Sequence, residues 1–235
     1  MLIYAIIPAR SGSKRFPNKN IYNFFKKPLF YHSIFFAKKL KFVNKIVFST
    51  NSKKYINIAK KIPNLYIHKR KKYSSKDTSM EEDIIRDLKE YFIRSNIKQP
   101  DAFLWLRPTS PLRCIKSFKK AFKIFNNEKL TVMVVHKTDS RIFFEKEKFL
   151  KPVISILKKK SMVRSQEVKP FYKIFSGEFF KFNKKIKKNF LGNKKKFVIA
   201  PKLTECDIDN KSDLLTLNQM IKINLSKYKK YIHIK

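Results

Sequence analysis

The beginning of the chain constrains the fold more than any other segment. Leu2 to Ile7 is an almost continuous apolar run, typical of a parallel strand buried on both faces, and Pro8 ends it. A loop rich in cations and small polar residues follows directly. In open α/β sheets, ligands bind in the crevice beyond the carboxyl ends of the strands. The segment therefore predicts an anion site, of the kind that a triphosphate needs, at the end of the first strand.

The following hundred or so residues alternate between strand-like and helix-like patterns. Apolar runs typical of strands occur at Ile46 to Thr50, Leu65 to His68, Ala102 to Leu106 and Thr131 to His136. Helical spacing occurs at about Leu29 to Leu40, Tyr55 to Lys61, Ser79 to Ser95 and Ile115 to Phe125. Such alternation predicts an α/β fold with a Rossmann-like, doubly wound, mostly parallel sheet, and residues 1–235 are expected to form a single domain.

After about residue 138 the alternation stops. Residues 138–182 are rich in Phe, Lys and Pro, with short strand-like runs such as Val153 to Leu157, which indicates an insertion or cap on the domain. The core pattern resumes at Phe197 to Ala200 and at a helix from about Asp213 to Ile223. The basic tail, residues 222–235, is expected to be a solvated end.

The charge of the chain invites a nucleic-acid hypothesis. The formal net charge is +39, with 56 Lys and Arg residues, of which nine are Arg and 47 are Lys. These lysines are spread along the whole sequence, whereas dedicated nucleic-acid readers favour Arg forks and clustered patches. The composition favours drift in an AT-rich genome. We expect weak, non-specific adhesion to polyanions and no specific nucleic-acid partner.

Several other classes lack support in the sequence. No apolar run reaches the roughly 18 to 20 residues of a membrane helix, and no cleavable leader is recognisable, so a cytoplasmic protein is expected. Cys114 and Cys206 have no ligand or disulfide spacing. The four histidines form no recognisable pair with a nucleophilic Ser or Cys, so a hydrolase triad is not predicted.

The first loop offers a dense set of phosphate ligands. Its polar residues are Arg10, Ser11, Gly12, Ser13, Lys14, Arg15, Lys19 and Asn20. Four cations offset much of a triphosphate's charge, and Gly12 allows close backbone approach or a positive φ. The loop is not a Walker A motif, because no glycine precedes Gly12 at the required offset. An exposed basic turn in a Lys-rich protein is the alternative.

Two further segments are candidates for the same edge of the sheet. The strand that ends at Leu106 runs into a turn with two prolines, in which Arg107, Thr109 and Ser110 are candidate ligands for a carboxylate or a phosphate. Asp207 and Asp209 project to one side if the chain is extended, which suits a hard cation such as Mg²⁺. The alternative for the turn is a rigid turn with arginines on the surface. The alternative for the two aspartates is a helix cap or a surface feature.

Residues 6 to 21 resemble the N-terminal signature of the acylneuraminate cytidylyltransferases, the CMP-sialic acid synthetase family. Further matches, in order, are Lys27 to Ala37, Val47 to Asn51, Leu106 to Arg113 and Asp207 to Leu214. The resemblance covers most of residues 1–137 and 197–220. It implies an enzyme that joins CTP to a nonulosonic acid, of the sialic, legionaminic or pseudaminic type, and releases pyrophosphate.

The resemblance also implies roles for individual residues. Arg10, Lys19 and Asp209 would be catalytic, with Asp207 and Asp209 holding Mg²⁺. The loop residues named above, together with Arg70 and Ser79, would bind the nucleotide, although Ser79 and Thr78 are also candidate helix caps. The implied sugar-binding residues are Arg107, Thr109, Ser110, Arg164, Gln166 and Tyr172. The family often has Gln where Arg107 stands. A homodimer is expected, with residues 138–182 reaching the partner's site.

Two other functions remain open. Within the same fold, a CMP-Kdo synthetase or another sugar nucleotidyltransferase is the nearest alternative. From a different class, a basic nucleic-acid-binding protein on a non-catalytic scaffold would explain the charge. Salt-resistant, CTP-specific binding favours the enzyme, and steeply salt-dependent RNA binding without CTP turnover favours the second alternative.

Overall fold

Strands and helices alternate along the first half of the chain because its apolar residues change period from two to about 3.6. The computed structural model describes residues 1–183 and 185–234. Its elements up to residue 105 are β1 (Ile3–Pro8), β2 (Asn23–Phe24), β3 (Lys27–Pro28), α1 (Leu29–Lys38), β4 (Lys45–Thr50), α2 (Lys53–Ala59), β5 (Tyr66–Lys69), α3 (Glu81–Arg94) and β6 (Ala102–Trp105). The predicted strands and helices of this half are therefore confirmed to within a few residues.

The second half supplies the remaining strands and the C-terminal helices. Its elements are α4 (Ile115–Glu128), β7 (Thr131–Thr138), β8 (Phe143–Lys146), β9 (Phe149–Pro152), α5 (Ile156–Lys159), β10 (Phe171–Lys181), β11 (Lys195–Ile199), α6 (Lys211–Ile223) and α7 (Leu225–Tyr228). Among the described residues, no helix is both long and apolar enough to cross a membrane.

A seven-stranded sheet forms the centre of the molecule, in the order β11, β7, β10, β6, β1, β4, β5. All neighbouring pairs are parallel except those of β10, which runs antiparallel to both β6 and β7. The predicted mostly parallel sheet is thus confirmed. Since β1, β4 and β6 are mutually parallel, their carboxyl ends meet at one edge, where the loops that follow them come together.

Helices cover both faces of this sheet. Along β1, Ile3, Ala5 and Ile7 face one way and pack in the larger apolar core with residues of α1, α2 and α4. Tyr4 and Ile6 face the other way and pack against residues of α3. Each of these five side chains is fully buried. The continuous apolar run at the start of the chain is therefore explained by a strand with a helical layer on each side.

The region predicted as an insertion has a more complex structure. Its last part forms β10, which lies between β6 and β7 at the centre of the sheet. The part that projects from the sheet contains the two-stranded hairpin β8–β9. The strand-like run Val153 to Leu157 forms no strand: the Val153 amide bonds the Ile142 carbonyl at 2.9 Å, beyond the β8–β9 pairing, and the chain then enters the short helix α5.

Gly177 permits the close packing of β10 against α4. A Cβ atom on Gly177 would lie 2.6 Å from Cε1 and 2.8 Å from Cζ of Phe118. Just before it, the register of β10 against β7 shifts between Lys173 and Gly177, and Phe175 has a positive φ of 83°. The bulge turns this part of β10 towards the edge of the sheet where the loops meet.

Two predictions are wrong, one about the C-terminal tail and one about the residue that caps α3. The tail was expected to be solvated, but Tyr228, Tyr231 and His233 are buried. The two tyrosines pack in an apolar cluster with residues of α6, and His233 Nε2 lies 2.7 Å from the Arg113 carbonyl. Burial of these aromatic side chains holds the tail against the domain despite the lysines between them. Helix α3 is capped at Met80 rather than at Thr78 or Ser79, and its N-cap amide donates to the Asp83 carboxylate.

Candidate active site

The loop after β1 is held in place by neighbouring strands. The Asn20 side-chain amide donates to the Arg10 carbonyl at 2.9 Å, and the Ser11 amide donates to Oδ1 of Asn51 at 3.0 Å. Asn51 directly follows β4, so the adjacent parallel strand fixes the start of the loop. Gly12 does not have a positive φ, which leaves close approach of a ligand as the predicted reason for glycine there.

Asp77 pairs with two of the loop's cations. Its carboxylate oxygens lie 3.1 Å from Nη1 of Arg10 and 3.0 Å from Nζ of Lys14. The hydrogen bond and charge of Lys14, with the charge of Arg10, hold the pKa of Asp77 below its ordinary value. All three side chains are substantially exposed, so the pairs are screened by solvent and open readily to another anion.

Asp209 pairs with the other two cations, and these differ in burial. Nζ of Lys19 lies 3.0 Å from Oδ1 of Asp209, and its side chain is only 10% exposed. Nη2 of Arg15 lies 2.7 Å from Oδ2, and its side chain is 72% exposed. Partial burial of Asp209 would raise its pKa, but Lys19, with help from Arg15, lowers it below the ordinary value. Lys19 is therefore the cation that the protein fixes most firmly.

Asp207 lies two residues away across Ile208, which is buried and whose amide donates to the Thr109 carbonyl at 2.9 Å. Desolvation raises the pKa of Asp207 despite a hydrogen bond from Thr109, and the charge of Asp209 raises it further. The charge of a divalent cation would offset this repulsion, and two hard oxygen donors suit Mg²⁺, which needs few carboxylates. Among the described residues, no cluster of three or more potential metal ligands is present.

Arg107 has carboxylate partners within the protein. Its Nη1 donates to both Glu178 oxygens at 2.7 and 2.8 Å, and its Nη2 donates to Glu81 at 3.1 Å. Its guanidinium carbon also lies 5.0 Å from the centroid of the Phe175 ring. Burial alone would lower the pKa of Arg107, but the two carboxylates raise it above the ordinary value. The positive charge of Arg107 is thus neutralised before any ligand arrives.

Other residues of the same turn support the site from beneath. Arg113 is 1% exposed, and it donates to the carbonyls of Ser176 and Arg107 at 2.9 and 2.7 Å. Ser110 is also 1% exposed and donates to the Phe175 carbonyl at 3.3 Å. Both side chains join the turn to the bulge of β10.

Arg70 and Ser79 lie on the loop between β5 and α3. Arg70 follows β5 directly and is 7% exposed, and burial lowers its pKa to about 10, so it remains charged at neutral pH. The Ser79 hydroxyl donates to the Tyr73 carbonyl at 2.6 Å. This loop forms the wall of the site opposite the loop after β1.

Together these segments enclose a cavity of about 550 Å³ at the carboxyl edge of β1 and β6. Its lining includes most of the predicted nucleotide ligands and part of the predicted sugar and metal ligands: Arg10, Ser13, Lys14, Lys19, Asn20, Arg70, Ser79, Arg107, Thr109 and Asp209. Ser11, Gly12 and Ser110 lie next to this lining without forming part of it. Asp207 lines a neighbouring cavity with Phe175.

The structure does not bring three of the predicted sugar ligands to this cavity. Arg164 begins a short 3₁₀ turn, Ser165–Glu167, outside the sheet. Gln166 lines a separate cavity beside Asp139. Tyr172 packs against Phe197, with ring centroids 4.8 Å apart. Within one chain, residues on the far side of the β10 bulge therefore remain away from the candidate active site.

Apart from Asp209, the acids that pair with the site cations, Asp77, Glu81 and Glu178, are not predicted by the sequence. Asp77 is one of several polar residues before α3, and no local pattern links it to Arg10 or Lys14. Glu178 carried a usable signal, because it is a lone charge followed by two phenylalanines in a strand-like run, and a buried charge needs a partner. Trp105 also lines the cavity at the end of β6.

Cationic side chains gathered at the carboxyl edge of a parallel sheet are typical of a nucleotide-binding α/β protein. The fold agrees with a solved structure of CMP:2-keto-3-deoxy-manno-octonic acid synthetase complexed with CTP, with a TM-score of 0.64. The two chains are 12% identical, and the match covers 95% of this chain and 100% of the other. The sequence profile of the cytidylyltransferase family matches residues 4–222, and the chain belongs to that family.

Relatives within this family have related names. A pseudaminic acid cytidylyltransferase of Campylobacter jejuni is 28% identical over 225 residues, which is 93% of this chain and 96% of the relative. A CMP-N,N'-diacetyllegionaminic acid synthase of Legionella pneumophila is 35% identical over 128 residues, 53% of each chain. A bifunctional Helicobacter pylori protein, named as pseudaminic acid cytidylyltransferase and as a hydrolase, is 32% identical over 131 residues, 56% of this chain. The chain spans 25% of that protein's length.

Proposed function

We propose that this protein transfers the cytidylyl group of CTP to a nonulosonic acid. In this reaction the anomeric hydroxyl oxygen of the sugar acid forms a bond to the α-phosphorus of CTP. The bond from that phosphorus to the bridging oxygen of the β-phosphate breaks, pyrophosphate leaves, and the hydroxyl proton is released. The observation that carries the proposal is the pairing of Lys19 with Asp209 in the cavity beyond β1, at 3.0 Å. It places a fixed cation and a candidate metal ligand side by side.

The nucleotide end of the site would hold the triphosphate. Arg10 and Lys14 exchange the Asp77 carboxylate for phosphate oxygens, which is a small cost because these side chains are exposed. Lys19 is already desolvated and aimed, so its charge acts on the leaving pyrophosphate with little screening. Ser11, Gly12, Ser13 and Asn20 would supply polar contacts from the loop, and Ser79 would contribute from the opposite wall.

Asp207 and Asp209 would hold Mg²⁺. A bound Mg²⁺ would supply charge neutralisation for the phosphates and lower the pKa of a coordinated hydroxyl. The raised pKa of Asp207 supports this assignment, because it reflects desolvation and the neighbouring Asp209 carboxylate, which outweigh the opposing charges of Lys19 and Arg107. Lys19 donates a hydrogen bond to Asp209 and would therefore hold its carboxylate in place before the metal binds.

The sugar end would begin at the turn after β6. Thr109 lines the cavity and would contact the sugar acid, and Ser110 would hold that turn against β10. Arg107, which is already bonded to Glu178 and Glu81, is better suited to donate its remaining edge to a sugar hydroxyl than to neutralise a carboxylate.

A second copy of the chain would supply the rest of the sugar site. The β8–β9 hairpin exposes Phe149 and Leu150 at 70% and 73%, and Phe143 and Phe144 at 44% and 49%. Such an apolar surface is typical of a protein interface. We therefore infer a homodimer in which residues 139–170 bring Arg164 and Gln166 towards the partner's cavity, with Tyr172 at the base of the projecting segment.

The dimer is tested by analytical ultracentrifugation at moderate salt. The wild-type protein should sediment as a dimer, and a Phe149→Asp, Leu150→Asp variant should be a folded monomer with reduced turnover. A monomeric wild-type protein with full activity would overturn this part of the proposal.

The two cysteines are free, which agrees with a reducing compartment such as the cytoplasm.

The function is tested by pyrophosphate release from CTP and Mg²⁺ against a panel of sialic, legionaminic and pseudaminic acids, with Kdo as a further acceptor. We expect turnover with one nonulosonic acid and loss of turnover with EDTA. Turnover with Kdo alone would favour the CMP-Kdo synthetase alternative. Steeply salt-dependent RNA binding with no CTP turnover would show that the basic, non-catalytic alternative is correct.

A further inference from the structure

A line of buried polar side chains connects helix α3 to the wall of the candidate active site. Ser49 on β4, His68 on β5 and Asp87 on α3 are each fully buried, and Arg70 is 7% exposed. Ser49 and His68 are direct neighbours in the parallel register of β4 and β5. This serine–histidine pair could not be predicted from the sequence, because strand pairing and the packing of α3 over the sheet bring the residues together.

The contacts along this line have a defined direction. Nε of Arg70 donates to the Ser49 hydroxyl at 2.9 Å, and that hydroxyl lies 3.0 Å from Nδ1 of His68. Nε2 of His68 lies 3.3 Å from Oδ1 of Asp87, which is within ion-pair distance but outside hydrogen-bond geometry. In a neutral imidazole only one nitrogen carries a proton, so facing the carboxylate places it on Nε2. Nδ1 then accepts from Ser49, whose oxygen is left to accept from Arg70.

The second oxygen of Asp87 holds the backbone that follows Arg70. Oδ2 accepts from the Lys71 amide at 2.7 Å and also from the Ser74 hydroxyl. A single carboxylate therefore fixes the start of the loop that forms the cavity wall, and its other oxygen faces the imidazole of His68, which bonds Ser49.

Arg70 is restrained along one edge of its guanidinium group. Nε bonds the Ser49 hydroxyl and Nη2 donates to the Ser49 carbonyl at 3.2 Å, and neither bond uses Nη1. Arg70 lines the cavity, so its remaining donors are available to a ligand there. An arginine held in this way loses little side-chain freedom when it binds.

We propose that Ser49, His68 and Asp87 form a positioning relay that fixes Arg70 for nucleotide binding. This inference rests on the proposed function, because the ligand of Arg70 is taken to be CTP. The three residues resemble a hydrolase triad in composition, but the hydroxyl is fully buried and its oxygen is bonded to Arg70, so it is not a nucleophile. Burial keeps the imidazole neutral by lowering the pKa of His68, against the opposing effect of Asp87.

The relay is tested with Ser49→Ala, which removes one oxygen atom and leaves the packing intact. The dissociation constant for CTP is measured by calorimetry, and KM for CTP and for the sugar acid is measured by pyrophosphate release. Loss of one hydrogen bond to a charged group should weaken CTP binding about tenfold. The effect should fall on KM for CTP, with kcat and KM for the sugar acid changed less than about twofold.

Two further variants distinguish positioning from general destabilisation. In an Arg70→Met background, Ser49→Ala should have no further effect, because the relay acts only through the guanidinium group. The matched control is Thr131→Val, which removes a buried hydroxyl bonded to the Leu191 carbonyl at 2.7 Å, at the opposite end of the sheet. It should leave CTP binding unchanged.

The outcomes separate the relay from the proposed function. A wild-type protein that binds CTP but turns over no sugar acid overturns the function, while the CTP dissociation constants still test the relay. Normal CTP binding by Ser49→Ala overturns the relay alone. So does an equal loss in the Arg70→Met background, or an equal loss with Thr131→Val. A wild-type protein that binds no CTP overturns both.

Discussion

Lys19 and Arg15 offer a matched comparison, because both bind the same carboxylate and differ in burial. The Lys19 side chain is 10% exposed and that of Arg15 is 72% exposed, although their distances to Asp209 are 3.0 and 2.7 Å. A desolvated, fixed cation stabilises developing charge far more than a screened and mobile one. We therefore expect Lys19→Met to lower kcat much more than Arg15→Met.

The magnitudes follow from this difference in burial. Removing a fixed donor to developing oxyanion charge costs roughly 10²- to 10³-fold in rate, or about 3 to 4 kcal/mol. Removing an exposed ion pair costs less than about fivefold. Pyrophosphate release with saturating CTP and sugar acid measures both variants, with circular dichroism to verify that each is folded. Equal effects, or near-normal turnover by a folded Lys19→Met protein, would refute the assignment of Lys19.

Three other predictions concern neighbouring features. Asp77→Asn should lower the CTP dissociation constant severalfold in calorimetry, because Arg10 and Lys14 no longer have to leave a carboxylate; weaker binding would contradict this. Gly177→Ala should cost about 1 to 3 kcal/mol in thermal denaturation, because its Cβ would lie 2.6 Å from a Phe118 ring atom. Burial lowers the pKa of His32 and His233 from 6.5 to about 4. Between pH 6.5 and about pH 4 the unfolded chain therefore binds protons that the native state does not. In that range, stability measured by urea unfolding should fall by up to about 1.4 kcal/mol per pH unit for each histidine.

The parallel half of the fold could be predicted from the sequence because its signals are local. The apolar run before Pro8 and the helical spacing of α3 each depend on residues close together in the chain. The order and direction of β10 could not be predicted in the same way. Its partners in β6 are about 75 residues away, as with Glu178 opposite Trp105, and its bulge disrupts the period-two pattern.

In the candidate site, too, local motifs could be predicted and contacts between distant residues could not. Arg10, Lys19 and Asp209 could be predicted because each lies in a motif of distinctive composition, and the cavity contains all three. The partners of Arg107 could not be predicted, because no short motif links Arg107 to Glu178 or Glu81. Pairing between distant acids and bases depends on tertiary packing, and in a chain with 56 basic residues almost any acid has many candidate partners.

The central position of β10 has a consequence for folding during synthesis. β6 is complete by residue 105. One of its two neighbours, β1, is already made, but the other, β10, is not made until residues 171–181. Until then β6 presents an open edge, and Arg107 lacks the buried carboxylate of Glu178. β10 therefore joins β6 to β7 and supplies the buried partner of Arg107 in one late step. Chains truncated before residue 171 should have an unpaired β6 edge and a tendency to aggregate through it.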